Sequence, residues 1–286
     1  GQGGFAGPRE KMWLAPVNDQ SAIMPLTGDW PYKIEHKLTT VNLANAVPPT
    51  SLYNGMIHPL AGLPISGFTW YQGESNTGRA HLYQTLLATM IRSWRNAWGQ
   101  GDLPFLIVQL AGFSQPDDHG ASSWAELREA QRLVSLSEPR CGLACTIDIG
   151  EPDDIHPSNK LDVGLRLAME ALHVAYGHDD VERSPTYRSH AVHGHEVKVQ
   201  FERGDTLEPI DSVSGFSLAG EDQKFYPAEA RVEGNAVVVR SEAVTTPVAV
   251  RYGWRGFPDC NLRTRSGLPV LPFRSDDWPW TTQGAR

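Results

Sequence analysis

The stretch Ile65-Ser66-Gly67-Phe68-Thr69-Trp70-Tyr71, running on into Gln72-Gly73-Glu74-Ser75-Asn76, decides the fold. Its first part is rich in β-branched and aromatic residues, as a buried strand is. Next comes Arg79–Trp98, in which Tyr83, Leu87, Met90, Ile91, Trp94 and Trp98 share one face at helical spacing before Gly99 and Gly101 close the helix. A second apolar run, Phe105–Leu110, precedes an amphipathic helix over Ser122–Ser137, with Trp124, Leu127, Gln131 and Val134 along one side. Gly142–Ile149 reads as a third strand. Ser158 or Asn159 then caps a helix whose apolar face is Val163, Leu167, Ala171, Leu172 and Tyr176. Alternating strand and helix implies right-handed crossovers and a parallel sheet with helices on both faces. The ligand site of such a sheet lies beyond the carboxyl ends of its strands.

The flanks have another character. After Gly177 no helical periodicity returns; Val197, Val199 and Phe201 alternate with polar residues, and Val237–Val239 and Val248–Tyr252 are further short strands separated by turns such as Glu233-Gly234-Asn235. These predict a small all-β module of sandwich type. Before Pro48 the chain is also β-like, with Trp30–Lys37 its clearest strand. The expected division is therefore residues 1–47, the end of a β-rich domain; 48–180, an α/β domain; and 181–286, an all-β accessory domain.

Composition narrows the function classes. Hydrophobic residues make up 40% of the 286, enough to bury a core, and no apolar run reaches the roughly 20 residues that span a bilayer. The formal charge is −8 with dispersed basic residues, which argues against a nucleic-acid partner. The nine tryptophans suit either core packing or stacking on sugar rings. Cys141 and Cys145 are too far apart along an extended strand to be bridged, and with Cys260 all three read as structural thiols. The cysteines and histidines show no zinc spacing, so no metal or other cofactor is expected. The chain opens at Gly1 without a methionine or a leader-like apolar segment, so a targeting segment has been removed or the chain is a piece of something longer.

Two constellations carry chemistry. The turn after the first strand can aim the Gly73 N–H and the amides of Gln72 or Asn76 at one point, which is what a developing oxyanion requires. Ser75 tempts as a nucleophile, but position 77 is Thr where the G-x-S-x-G elbow needs its second glycine, so Ser75 stays an unfavoured alternative. Asp153-Asp154-Ile155-His156-Pro157, after the third strand, offers an imidazole with an adjacent carboxylate: a general base and the group that orients it. Histidine changes charge near neutrality, which suits proton shuttling. Either Asp153 or Asp154 can serve as its partner. His193-Gly194-His195 has no third ligand in view and reads as an exposed turn.

Taken together, Leu52-Tyr53-Asn54-Gly55-Met56-Ile57-His58-Pro59, Trp70–Asn76, Arg128-Glu129-Ala130-Gln131, Asp148-Ile149-Gly150-Glu151 and Asp154-Ile155-His156-Pro157 resemble the sialate O-acetylesterase family of GDSL/SGNH serine esterases. Asn159-Lys160, Val163–Leu167, Val250–Trp254, Gly267-Leu268-Pro269 and Pro272-Phe273-Arg274 extend the resemblance over nearly the whole chain from about Pro25. It implies a flavodoxin-like SGNH hydrolase sheet with a Ser-His-Asp site that removes acetyl groups from sugars. It also implies His156 as general base, Asp154 as the better match for the carboxylate with Asp153 the alternative, Gln72 and Gly73 in the oxyanion hole, and a secreted or periplasmic setting. The family's nucleophile lies in a G-Q-S-N-M segment that this sequence lacks. The first strand and the serine are accordingly expected upstream or on a second polypeptide, leaving the sheet incomplete at its N-terminal side. The competing expectation is a catalytically inactive carbohydrate-binding remnant that uses the β module and exposed tryptophans.

Overall fold

A computed structural model describes residues 13–14, 21, 24–25, 50–114, 122–203, 207–209 and 212–285. The chain divides into two compact units, Gly1–Gly55 and Met56–Arg286. Of the first, the described part is a short antiparallel pair, β1 (Trp13–Leu14) with β2 (Met24–Pro25). The strand expected over Trp30–Lys37 lies outside the described residues.

The second unit opens with the expected parallel layer. Strands β3 (Phe68–Trp70), β4 (Phe105–Val108) and β5 (Cys141–Ala144) form a three-stranded parallel sheet in that order, with Phe68 opposite Phe105 and Phe105 opposite Cys141. Between them run α1 (Ala80–Trp98) and α2 (Ser123–Ser137), and α3 (Lys160–Val174) follows β5. Capping follows the sequence: Ser122 accepts the Ala125 N–H at the start of α2, and Asn159, rather than Ser158, accepts the Asp162 N–H at the start of α3.

Strand alternation shows which helix covers which face. Leu143, Phe105 and Ile107 join an apolar cluster with Leu87 and Ile91 of α1 and Leu127 and Val134 of α2. Gly142, one residue away and so on the opposite face, abuts Glu170 of α3: a Cβ there would lie 2.8 Å from Glu170 Oε2. Helices therefore sit on both sides of the sheet.

The predicted apolar face of α3 needs correction. Its buried residues are Val163, Arg166 and Glu170, while Leu172 and Tyr176 are exposed. Arg166 forms a two-pronged pair with Asp148 (2.6 and 2.7 Å), and Glu170 takes both prongs of Arg183 (3.0 and 2.6 Å). Charged pairs thus occupy the inner stripe, and aliphatic side chains are left outside.

The rest of the unit is antiparallel. One four-stranded sheet runs β11 (Glu229–Glu233), β12 (Ala236–Arg240), β7 (Glu196–Glu202), β6 (Thr186–His193). The other runs β10 (Phe225–Pro227), β9 (Phe216–Ala219), β13 (Ala249–Tyr252), β15 (Phe273–Arg274). A small pair, β8 (Leu207–Glu208) with β14 (Arg263–Thr264), lies beside them. Val197, Val199, Val237 and Val239 of the first sheet share one core with Leu218, Val250, Tyr252 and Phe273 of the second. Gly234-Asn235 and Gly194-His195 are two-residue hairpin turns, and His193 and His195 are exposed as expected.

None of the seven tryptophans with described side chains is exposed, because they are consumed in packing. Trp94 meets Phe68, Trp70 and Trp98, and Trp254 lies under the guanidinium of Arg251 at 4.6 Å. This overturns the expectation of exposed tryptophans on the β module. All three cysteines are free thiols, and burial pushes Cys145 and Cys260 up to about 12.

The parallel layer and the antiparallel sheets are joined through α2. Arg128, fully buried, donates to the carbonyls of Leu110, Gly253, Arg255 and Gly256. Two residues earlier, Glu126 accepts the N–H and hydroxyl of both Thr281 and Thr282 at 2.6–3.1 Å. Replacing Arg128 by Met removes several charge-assisted hydrogen bonds and takes its side-chain donor from the buried Leu110 carbonyl, while Gly253 O and Gly256 O keep the Arg255 and Phe113 N–H groups. The expected cost in denaturant unfolding is about 3–5 kcal/mol, with a single transition retained.

Candidate functional site

The loops that leave β3, β4 and β5 at their carboxyl ends are stitched to one another by buried polar groups. Gln131 of α2 is the central stitch. Its Nε2 donates to Gln72 O (3.2 Å) and Val108 O (3.3 Å), and its Oε1 accepts the Leu110 N–H at 2.9 Å. Tyr83 of α1 shares its hydroxyl between Gln72 O and Oε1 (3.0 and 3.2 Å) and accepts from Trp70 Nε1. Burial pushes the Tyr83 hydroxyl up to about 12, so it stays a donor to Gln72 across the physiological range.

The turn Gln72–Asn76 is therefore rigid on its inner side. Gly73 is buried with φ +155°, and a Cβ there would lie 2.5 Å from Leu127 Cδ2, so position 73 excludes any side chain. The Gly73 N–H donates to Glu74 Oε2 at 2.9 Å, so a neighbouring carboxylate now holds the expected oxyanion donor. The Asn76 N–H donates to Gly73 O, and its side-chain oxygen accepts from Arg79, which turns the amide group by a contact within the same loop. Ser75 is exposed at the outer side of the turn.

The second loop leaves β5 under similar restraint. Thr146 donates its hydroxyl to Gln109 O, and Arg166 grips both Cys145 O and Asp148. Gly150 presses on Gly112 of the β4 loop so closely that a Cβ would lie 2.0 Å from Gly112 O. Ser114 N–H donates to Pro152 O beside it. Glu151 then accepts both the N–H and the hydroxyl of Ser158 at 2.7 Å, closing the segment that contains His156.

Within that closed segment Asp154 Oδ1 accepts the His156 N–H at 2.8 Å, and His156 Nδ1 lies 3.9 Å from the same oxygen. The structure thus brings Asp154 to His156, chiefly through the backbone. Asp153 is exposed and makes no hydrogen bond or ion pair among the described residues. The imidazole itself is 86% exposed, anchored by half-buried Ile155 and buried Pro157 on either side. A 3.9 Å separation is too long for a hydrogen bond, so the ring is aligned by a carboxylate it does not yet grip.

The two loops meet at Lys160. Its Nζ donates to Pro157 O (2.5 Å) and sits over the Tyr71 ring, 5.4 Å from the centroid. Burial, reinforced by the Glu74 carboxylate, pushes the Tyr71 hydroxyl up to about 12. The arrangement can offer an accessible imidazole with an acidic neighbour, next to a turn rich in hydrogen-bond donors. That is the equipment of acyl transfer. Gln131, Tyr83 and Glu151 were not singled out as site residues by sequence reasoning. The signal for Gln131 was present, as a polar residue in the otherwise apolar stripe of its helix.

The chain is similar to carbohydrate esterases. Residues 40–173 match the carbohydrate esterase, sialic acid-specific acetylesterase family. Among curated proteins, the sialate O-acetylesterase of Mus musculus is 29% identical over 261 residues, covering 78% of this chain and 46% of the mouse protein. That of Homo sapiens is 27% identical over 254 residues, covering 78% and 48%. The chain thus spans about half the length of these relatives. A crystal structure of a carbohydrate acetylesterase from Xanthomonas citri superposes with a TM-score of 0.76 at 49% identity, over 79% of this chain and 54% of that one.

The Glu151–Ser158 contact gives a pH test of how the histidine loop is held. Hydrogen bonds from the Ser158 N–H, then its hydroxyl, hold the Glu151 carboxyl below the usual carboxylate range. A depressed folded-state pKa means that the ionised form is favoured by folding. The tether is therefore present above the ordinary carboxylate pKa and lost as pH falls through the lower, folded value. The Ser158 amide resonance should move with a midpoint below that of an unhindered glutamate, and Ser158→Ala, which removes the hydroxyl but keeps the N–H, should raise the Glu151 midpoint only part of the way to the ordinary range.

Proposed function

We propose that this chain carries the base, the carboxylate and the oxyanion donors of a carbohydrate O-acetylesterase of the Ser-His-Asp type. Its sheet is read as a flavodoxin-like SGNH layer followed by a sandwich-type module. The observation that carries this reading is His156, with Asp154 beside it, in a loop that Lys160 links to Tyr71, the residue before the Gln72-Gly73 turn.

In the proposed reaction a serine hydroxyl attacks the acetyl carbonyl while His156 takes its proton. The oxyanion replaces Glu74 as acceptor of the Gly73 N–H, with the Gln72 and Asn76 amides assisting. Collapse expels the sugar oxygen, which recovers the proton from His156; a water activated by the same imidazole then releases acetate. Asp154 favours the imidazolium that forms in each step. O-acetylated sialic acids and acetylated plant polysaccharides such as xylan both fit as substrates.

The serine is assigned to a segment outside this chain, supplied upstream or by a second polypeptide. Two observations support that assignment. Among the described residues β3 has a hydrogen-bonded neighbour on one side only, although it is the strand that feeds the oxyanion turn. The outer face of α3 exposes Leu161, Leu165, Leu172 and Tyr176 at 82, 53, 39 and 64%, at helical spacing. In a doubly wound layer such a face receives a further helix.

A fluorophosphonate probe applied to the active full-length protein should label a serine outside residues 1–286. Labelling of Ser75, or of any serine within this chain, would overturn the assignment. Absence of labelling and of acetyl-ester hydrolysis would instead favour a carbohydrate-binding remnant. His156→Asn should lower kcat by about 10³-fold or more with the fold intact by circular dichroism.

A further inference from the structure

The segment Gly253-Trp254-Arg255-Gly256-Phe257 follows β13, in the antiparallel part of the chain, yet it is bolted to the parallel layer. Arg128 of α2 donates to the carbonyls of residues 253, 255 and 256, and the Phe113 N–H donates to Gly256 O at 3.0 Å. Trp254 is buried within cation–π reach of Arg251 and Arg274. The tip of this clamped segment, Phe257, is nevertheless 41% exposed.

Its ring lies against Gly112, where a Cβ would come within 2.9 Å of Phe257 Cδ2. Gly112 follows β4 and presses in turn on Gly150, in the loop that leads to His156. Phe257 thus stands at the carboxyl edge of the parallel sheet, on the side of the histidine loop.

Among the described Phe, Tyr and Trp side chains, Tyr176 and Phe257 are the exposed ones. Tyr176 follows the far end of α3, a helix of 15 residues and so about 22 Å long, which starts beside the site and runs toward the opposite edge of the sheet. Phe257 alone combines exposure with a position near the candidate chemistry. Its chain neighbours Trp254, Arg255, Pro258 and Asp259 line, with Phe225, a groove of about 470 Å³, in which Arg255 and Asp259 are exposed.

We propose that Phe257 is a sugar-stacking platform beside the acetyl-transfer site, and that the groove lined by its chain neighbours receives the next units of the glycan. The ligand class is then an acetylated pyranose oligosaccharide rather than an isolated acetylated sugar. The physical basis is pre-organisation. A phenyl ring fixed by backbone clamps loses little freedom when the apolar face of a pyranose covers it, and Arg255 and Asp259 supply a donor and an acceptor for sugar hydroxyls. The catalytic part of this inference rests on the acetylesterase reading; the binding part does not.

The test compares wild type with Phe257→Leu, which keeps apolar contact with Gly112 but removes the ring face, and with Phe257→Trp, which restores a ring. In the full-length protein, kcat/KM is measured on an acetylated xylo-oligosaccharide and on 4-nitrophenyl acetate. The ratio of the two should fall about five- to tenfold in Phe257→Leu, mainly through KM, and recover in Phe257→Trp. An unmoved ratio, or equal loss on both substrates, would sink the proposal. If neither substrate is hydrolysed, the acetylesterase reading has failed separately. Calorimetric titration with the unacetylated xylo-oligosaccharide then decides: binding weakened about five- to tenfold by Phe257→Leu supports the platform, and absent or unaffected binding overturns it.

Discussion

The guanidinium of Arg128 is the point through which the rest of the unit is organised. It sits fully buried in α2, a helix that a simple amphipathic reading would leave half in water. Instead Glu126, Arg128, Glu129, Gln131 and Arg132 are all buried. Three are satisfied by other parts of the chain, Thr281 and Thr282 for Glu126, the loop after β13 for Arg128 and the strand ends for Gln131, while Glu129 and Arg132 pair with each other within the helix. A buried charge is tolerable only when its hydrogen bonds are complete. The helix therefore fixes, within narrow limits, where the antiparallel sheets stand relative to the parallel layer. Residues 56–286 form one compact unit for this reason, although their sequence periodicity changes abruptly near residue 180.

What was legible in the sequence follows the same division. Helix α1 was readable because its apolar residues recur at 3.6-residue spacing and bury one face; Tyr83, Leu87, Ile91 and Trp98 are all inside. The strands β4 and β5 were readable as continuous apolar runs, though each stops earlier than expected where its chain turns into the site loops. On α3 hydrophobicity does not mark the inner stripe, so the apolar spacing points to the wrong face. Arg166 and Glu170 hold that stripe through two-pronged pairs with Asp148 and Arg183, partners distant in sequence. No local pattern encodes such pairings.

The candidate site shows the same limit at closer range. The Gln72–Asn76 turn and the Asp153–His156 loop are candidates in the sequence because acyl transfer would need donors and a base at strand ends. Their present engagements are not legible there. The Gly73 N–H belongs to Glu74 and the Asp154 carboxylate belongs to a backbone N–H, so both groups face their neighbours before they can face a substrate. In the proposed reaction Glu74 would be a placeholder anion, on the donor that the oxyanion would take. The carboxylate keeps a buried N–H satisfied without filling the space that Gly73 keeps free of a side chain.

That placeholder also explains why the turn can be rigid and yet adaptable. Tyr83 and Gln131 fix the carbonyl side of Gln72 from within, where burial keeps the Tyr83 hydroxyl a donor. Glu74 closes the opposite side by accepting a single hydrogen bond, from the Gly73 N–H, on an only partly buried side chain. Displacing it costs one exchangeable contact, whereas displacing Gln72 would break three around a buried core. In the proposed reaction an arriving oxyanion would meet a donor whose backbone is already in place, once the Glu74 carboxylate has turned away from it. That reorganisation would fall on a side chain that water can solvate, which is where it costs least.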